Sequence, residues 1–156
     1  PGLEIGVERG QVKQHGMTQT IKKGVKELLA EAQAGLPAVT AEAAMALLDD
    51  DAHVFVDLRD GIEQEKTGTI PGALVSSRGM LEFHIDPDSP AHKPEFAADK
   101  TFVFYCASGG RSALAAKVAS EMGLGPIINL TGGIIAWKKA GGPLTKYAAA
   151  GRFTSG

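Results

Sequence analysis

Residues 101–112 read Thr101-Phe102-Val103-Phe104-Tyr105-Cys106-Ala107-Ser108-Gly109-Gly110-Arg111-Ser112. The first five are β-branched or aromatic, an apolar run short enough to be a buried strand. Gly109 and Gly110 let the backbone curl, and Ser112 to Met122 is alanine-rich and helix-forming, with Gly123 as its expected stop. Cys106 therefore falls at the carboxyl end of a strand and just before a helix N-terminus. A loop of this kind turns successive N–H groups inward, and the helix adds partial positive charge, so an anion nest is expected around the sulfur. Such a setting lowers a thiol pKa from its free value of about 8.5, and Arg111 is the nearest cation in the sequence. Cysteine is often simply buried. Packing gives no reason for a glycine pair, an arginine and a helix start to gather around one, so Cys106 is the candidate nucleophile.

Outward from this segment, His53-Val54-Phe55-Val56-Asp57 is a second buried strand with an acidic end, Ala73-Leu74-Val75 a third behind the Ile70-Pro71-Gly72 turn, and Ile127-Ile128-Asn129-Leu130 a fourth opened by Pro126. Gly132-Gly133 reads as a break, and Ile134 to Ala140 as a last helix ended by Gly141-Gly142-Pro143. Toward the N-terminus, Ile21, Val25, Leu28 and Leu29 predict a helix over 18–34, and Thr40 an N-cap for a helix over AEAAMALL, closed by a solvated cluster Asp49-Asp50-Asp51. Residues 84–100 hold Pro87, Pro90 and Pro94 without periodicity and read as a surface loop. Strands alternating with helices predict an α/β fold, a central parallel sheet with helices on both faces, and ligands bind such sheets beyond the strand carboxyl ends. Asp57-Leu58-Arg59 and Cys106 both belong there. Trp137 and Phe83 are expected in the core or a pocket wall.

A chain of 156 residues has room for one domain and a short appendage. Its 16 basic and 18 acidic side chains leave a net charge of -2, too balanced for a nucleic-acid or membrane binder working through bulk charge. Cys106 is the sole cysteine, which excludes an internal disulfide and a thiolate zinc cluster. His15, His53, His84 and His92 lack metal-ligand spacing, so no metal is assigned. No apolar run approaches the roughly 20 residues of a membrane span. Residues 1–16 carry Glu4, Glu8, Arg9 and Lys13 and no apolar centre; they read as a flexible or vector-derived tail rather than a secretory signal, and a cytoplasmic location is expected.

Four ordered motifs now stand together: Val54-Phe55-Val56-Asp57-Leu58-Arg59; Gly68-Thr69-Ile70-Pro71-Gly72-Ala73; the Cys106 loop; and Gly132-Gly133-Ile134-Ile135-Ala136-Trp137 followed by Ala140-Gly141-Gly142-Pro143. Between about Thr40 and Leu144 the sequence resembles the rhodanese family of sulfurtransferases, with Thr69 where that family's second motif usually has histidine. The resemblance implies a single rhodanese-like domain over 39–146, a three-layer α/β fold, preceded by a helical extension over 17–38 and followed by a tail over 147–156. It implies that Cys106 carries sulfane sulfur as a persulfide, with no other cofactor. The donor would be thiosulfate or another persulfide, and the acceptor cyanide, a thiol or a protein.

The resemblance also distributes roles. Ala107, Ser108, Gly109, Gly110, Arg111 and Ser112 form the anion-binding loop, Ser112 capping the helix or donating toward the sulfur. Asp57 and Arg59 read from the residues alone as a strand-end salt bridge; the resemblance implies instead that Asp57 braces the loop through backbone N–H groups while Arg59 pairs with an acid such as Glu63. Arg111 is either a cation of the nest or a tie between loop and sheet, the role that the resemblance favours. Arg78, after the third strand, is left free for an anionic donor, because many relatives place a basic residue at the position of Ala107. Related Cys-x5-Arg phosphatases have five residues between cysteine and arginine. Here there are four, Ala107 to Gly110, a tighter ring suited to a terminal sulfur rather than three phosphate oxygens. The alternatives are a Cys-dependent phosphatase or arsenate reductase and a non-catalytic binding module.

Overall fold

The computed structural model describes residues 18–147. The expectations for residues 1–16, His15 among them, and for residues 148–156 lie outside the described residues. Five parallel strands form one sheet: β1 (Ala38–Val39), β2 (His53–Asp57), β3 (Leu74–Val75), β4 (Thr101–Tyr105) and β5 (Ile127–Leu130), in the order β1-β5-β4-β2-β3. Six helices accompany them: α1 (Val25–Gln33), α2 (Ala41–Met45), α3 (Gly61–Thr67), α4 (Leu81–Ile85), α5 (Gly110–Met122) and α6 (Gly133–Lys139). The parallel α/β fold is as the sequence predicts.

The central strands bury both faces, as parallel strands between helix layers must. Val56, Leu58, Phe102, Phe104 and Ile127 meet Leu81 and Ile85 of α4 and Ala115, Ala116 and Ala119 of α5 on one side. Phe55, Val103, Tyr105 and Leu130 meet Ala41 and Ala44 of α2 and Ile134 and Trp137 of α6 on the other. The alanines of α5 let that helix lie close to the sheet. Trp137 is fully buried, edge-on to Phe55 at 5.7 Å between ring centroids, as expected. The sheet grows in one direction from β2 to β3 and in the other from β4 to β5, so the chain reverses direction between β2 and β4, where α/β sheets open a crevice. Cys106 leaves the end of β4 at that point.

Four expectations need correction. The N-terminal helix begins only at Val25: Gly24, in extended conformation, is its N-cap, and Ile21 stands 75% exposed outside it. The second helix stops at Met45 instead of running through AEAAMALL. The 84–100 segment is not all surface loop; a 3-10 turn at Pro94–Ala97 buries Phe96 against Phe102, which pins the segment to the sheet. Phe83 is 56% exposed because α4 turns Leu81 and Ile85 inward instead. Strand β1, and helices α3 and α4, carry too few residues to show a period.

At the end of β2, Asp57 and Arg59 form a buried ion pair. Arg59 Nη2 donates to Asp57 Oδ2 at 2.7 Å and to Gly68 O at 2.7 Å, Nη1 to Thr67 Oγ1 at 2.7 Å, and Nε to Asp57 Oδ1 at 3.0 Å. Of the two readings the strand-end salt bridge holds: Arg59 pairs with Asp57, not with Glu63. Its guanidinium closes α3 back onto β2, and Asp57 braces Arg59, not the cysteine loop. Burial disfavours the Arg59 charge, but the Asp57 carboxylate outweighs it and holds the cation above its ordinary pKa. Removing one member of such a pair strands the other charge. Arg59→Ala is expected to cost about 3–5 kcal/mol in urea unfolding, whereas replacing both residues by apolar ones of similar size costs much less; equal losses in the two variants would refute the pairing as the source.

Candidate active site

The loop after β4 is shaped by where its carbonyls go. Cys106 O accepts from Ile134 N at 2.9 Å and Ala107 O from Ile135 N at 3.1 Å, so the first turn of α6 draws both carbonyls away from the sulfur. Gly133 makes this approach possible: a Cβ there would lie 2.5 Å from both carbonyl oxygens. Gly109 adopts φ +109, the left-handed region that favours glycine, and its carbonyl points outward to Ala113 N, Ser112 Oγ and Asn129 Nδ2 at 3.2, 3.2 and 3.3 Å. With the carbonyls turned out, N–H groups are left facing in. Gly109 N donates to Cys106 Sγ at 3.1 Å and Ser112 N at 3.4 Å, and the 13-residue helix α5 begins there.

Cys106 is 1% exposed. Burial pushes its thiol up, yet Ser112, through its hydroxyl and N–H, and the N–H groups of Gly109 and Ser108 together pull it below the ordinary value. Among these donors the backbone N–H groups of Gly109 and Ser112 have clear hydrogen-bond geometry to the sulfur, while the Ser112 hydroxyl has its shortest partner in Asn129 Oδ1 at 2.7 Å. A thiolate is thereby favoured, which is what a nucleophilic cysteine requires.

The arginines are placed differently from expectation. Arg111 does not tie the loop to the sheet: Nη1 and Nη2 donate to Glu63 Oε1 and Oε2, both at 2.8 Å, a bidentate link between α5 and α3. Arg78 is not free, since Nη1 donates to Glu82 Oε1 at 3.0 Å. Its backbone does lie on the expected edge, Arg78 N donating to Leu58 O at 3.1 Å and Leu58 N to Tyr105 O at 3.0 Å. Ala107 is partly exposed beside the sulfur, and Ser108 is exposed. Sequence reasoning missed Asn129, whose one signal is an amide side chain inside an aliphatic strand, and read Gly132-Gly133 as a break and a family motif without seeing that Gly133 gives α6 room against the loop. Among the described residues no group of three or more His, Cys, Asp or Glu is placed to hold a metal ion.

Fold and site define a parallel α/β domain with a cysteine anion nest at the reversal point of its sheet. The rhodanese-like domain profile matches residues 40–140, and the chain belongs to that family. A protein named sulfurtransferase from Allochromatium vinosum is 37% identical over 98 residues, 63% of this chain and 83% of its own. A Rhodopseudomonas palustris protein of unknown function, described as a possible tyrosine phosphatase, is 52% identical with a TM-score of 0.80, over 83% of this chain and all of that one. A thiosulfate sulfurtransferase from Pseudomonas aeruginosa is 27% identical with a TM-score of 0.65, over 80% of this chain and 23% of that one. At family level the chain is a sulfurtransferase-like protein. No helix among the described residues is long and apolar enough to cross a membrane.

The Glu63–Arg111 pair carries a pH signature. The Arg111 guanidinium lowers the Glu63 carboxyl to about 2 from an ordinary 4.5, against the opposing effect of burial. A depressed carboxyl contributes stability that is fully present above about pH 4.5 and is lost as pH falls toward 2. The side chains are 42% and 32% exposed, so solvent screening limits the contribution to about 1 kcal/mol. Urea midpoints between pH 4.5 and 2 should fall less steeply for Arg111→Ala than for the parent; parallel curves would show the pair to be energetically idle.

Proposed function

We propose that the protein transfers sulfane sulfur through a persulfide on Cys106. The Cys106 thiolate attacks the outer sulfur of the donor, the donor's S–S bond breaks, and the remainder leaves with the electron pair: sulfite from thiosulfate, a thiolate from a persulfide. An acceptor, cyanide or a thiol that is free or protein-borne, then attacks the outer sulfur of Cys106–S–S⁻, and the Cys106 thiolate leaves. Each step conserves charge without a cofactor. The N–H groups of Gly109 and Ser112 are aimed at the anionic sulfur and serve both the thiolate and, after a small shift, the persulfide.

The observation that carries this reading is the four-residue loop converging its amides on Cys106 Sγ. The named sulfurtransferase relative supports it. A phosphatase reading has the Rhodopseudomonas relative in its favour. Against it, phosphoryl transfer needs a cation facing the phosphate oxygens, and the arginine closing this loop spends both terminal nitrogens on Glu63. Incubation with thiosulfate or a persulfide donor should add one sulfur, a mass gain of about 32 that a reductant reverses, at Cys106 and not in Cys106→Ser. If no donor gives the adduct while an aryl phosphate is hydrolysed, the phosphatase reading replaces this one.

The loop presents little side-chain charge, since position 107 is alanine and Arg78 is held by Glu82. A neutral or protein-borne persulfide is therefore the preferred donor over thiosulfate. Arg78, swinging away from Glu82, would be the contact for an anionic one. Arg78→Ala should raise the thiosulfate KM about two- to threefold while shifting stability by no more than about 0.5 kcal/mol. Ala107→Arg should raise kcat/KM for thiosulfate, a charge-assisted contact being worth about 1.5–3 kcal/mol before exposure reduces it. Steady-state kinetics decide this: an unchanged KM in Arg78→Ala would remove Arg78 from the site.

A further inference from the structure

The amides of Gly109 and Ser112 donate to the Cys106 sulfur at 3.1 and 3.4 Å. Both residues are gripped from outside the loop by one side chain. Asn129, in β5 and 6% exposed, donates from Nδ2 to Gly109 O at 3.3 Å and accepts at Oδ1 from Ser112 Oγ at 2.7 Å. The register of β4 and β5 sets Asn129 beside Phe104, two residues before the cysteine, so the side chain crosses beneath the loop. An amide buried in an otherwise aliphatic strand costs stability unless it is hydrogen-bonded, and here both ends of it are. Neither bond joins β5 to another strand; both go to the cysteine loop. We propose that Asn129 is a positioning residue for the sulfur nest, clamping Gly109 and Ser112 at the separation at which their N–H groups converge on Cys106 Sγ.

The clamp acts on the thiolate through the loop, because Asn129 makes its own hydrogen bonds to Gly109 and Ser112. A clamp also fixes the Ser112 hydroxyl. Without Asn129 the hydroxyl keeps an acceptor in Gly109 O, 3.2 Å away. Loss of the clamp leaves Gly109 and Ser112 free to shift, which weakens the backbone donors to the sulfur, and the thiolate is less favoured.

This deepens the reading of Cys106 as the sulfur-carrying nucleophile, and its test is independent of sulfur transfer. The rate of iodoacetamide alkylation of Cys106, the only cysteine, is measured from pH 5 to 10 in the parent, Asn129→Leu and Asn129→Ala. Leucine preserves the volume, and alanine gives the same readout should the branched chain not be accommodated; a cooperative thermal transition qualifies each variant. The titration midpoint should move to higher pH, with alkylation at pH 7 slowed roughly fivefold, the loss of about one hydrogen bond to the thiolate. In a Ser112→Ala background the same substitution should slow alkylation by a smaller factor, because half of the clamp is already gone. A folded variant whose profile overlays the parent, or moves to lower pH, overturns the proposal. An expected shift together with no persulfide adduct in the parent would leave the clamp standing and remove the sulfurtransferase reading.

Discussion

The direction of the peptide units between Cys106 and Gly110 is the constraint on which the site depends. A carbonyl facing the sulfur would repel a thiolate, and an N–H facing it attracts one, so the loop must satisfy its carbonyls elsewhere. Two are taken by the first turn of α6 and a third by α5, Ser112 and Asn129. Much of the surrounding fold is explained by this need. Helix α6 has to begin against the loop, Gly133 has to lack a side chain for it to do so, and β5 has to end where it delivers both Asn129 and the Gly132-Gly133 turn. The buried Trp137 then secures α6 to the sheet from its other end.

Charge is organised on the same principle, with side-chain cations used for architecture and backbone dipoles for the sulfur. Arg59 is buried against Asp57, Arg111 spans to Glu63, and Arg78 meets Glu82. The Arg59 pair is the expensive one, since two desolvated charges must find all their hydrogen bonds, and the Gly68 carbonyl and Thr67 hydroxyl complete the set. On the proposed sulfur-transfer route, fixed N–H donors would suit a polarisable sulfur that binds, is transferred and leaves. A facing guanidinium would hold an anion more tightly and release it less readily.

How much of this could be read from the residue order follows from how local each feature is. The parallel α/β fold and the placement of Cys106 were legible because strand, glycine pair and helix are contiguous, and because the Asp57 and Gly132-Gly133 motifs recur at family spacing. Arginine partners were legible only in part: the Asp57–Arg59 pair stood as one of two readings, and the partners of Arg111 and Arg78 did not appear. Arg59 reaches back two residues and Arg111 reaches across 48 to Glu63, and a sequence does not say which of two arginines an acid will face. Asn129 escaped for a related reason, since its partners lie 17 and 20 residues away and its strand reads correctly without it. Helix α1 was foreseen but begun too early. Periodicity accepts Ile21, whereas Gly24 ends the run at the backbone.

Helix α1 stands before residue 40, where the family match begins, yet it is joined to the site. It packs along α5, and the Leu29 methyl groups lie 3.6 and 3.9 Å from the position that a Cβ on Gly110 would occupy. Gly110 opens α5 and separates the two residues, Gly109 and Arg111, through which the loop meets Asn129 and Glu63. A larger residue there would press on Leu29, and a smaller residue at 29 would leave the back of the loop open to the cleft of about 470 Å³ that Leu29, Gln33 and Asn129 already line. The loop backbone is thus held by α6 through its carbonyls and by Asn129 through Gly109 and Ser112, with Leu29 of α1 facing Gly110 across the mouth of that cleft. A loop restrained in this way keeps its amides oriented toward the sulfur, and on the proposed route through a Cys106 persulfide the same orientation would serve both the thiolate and the persulfide.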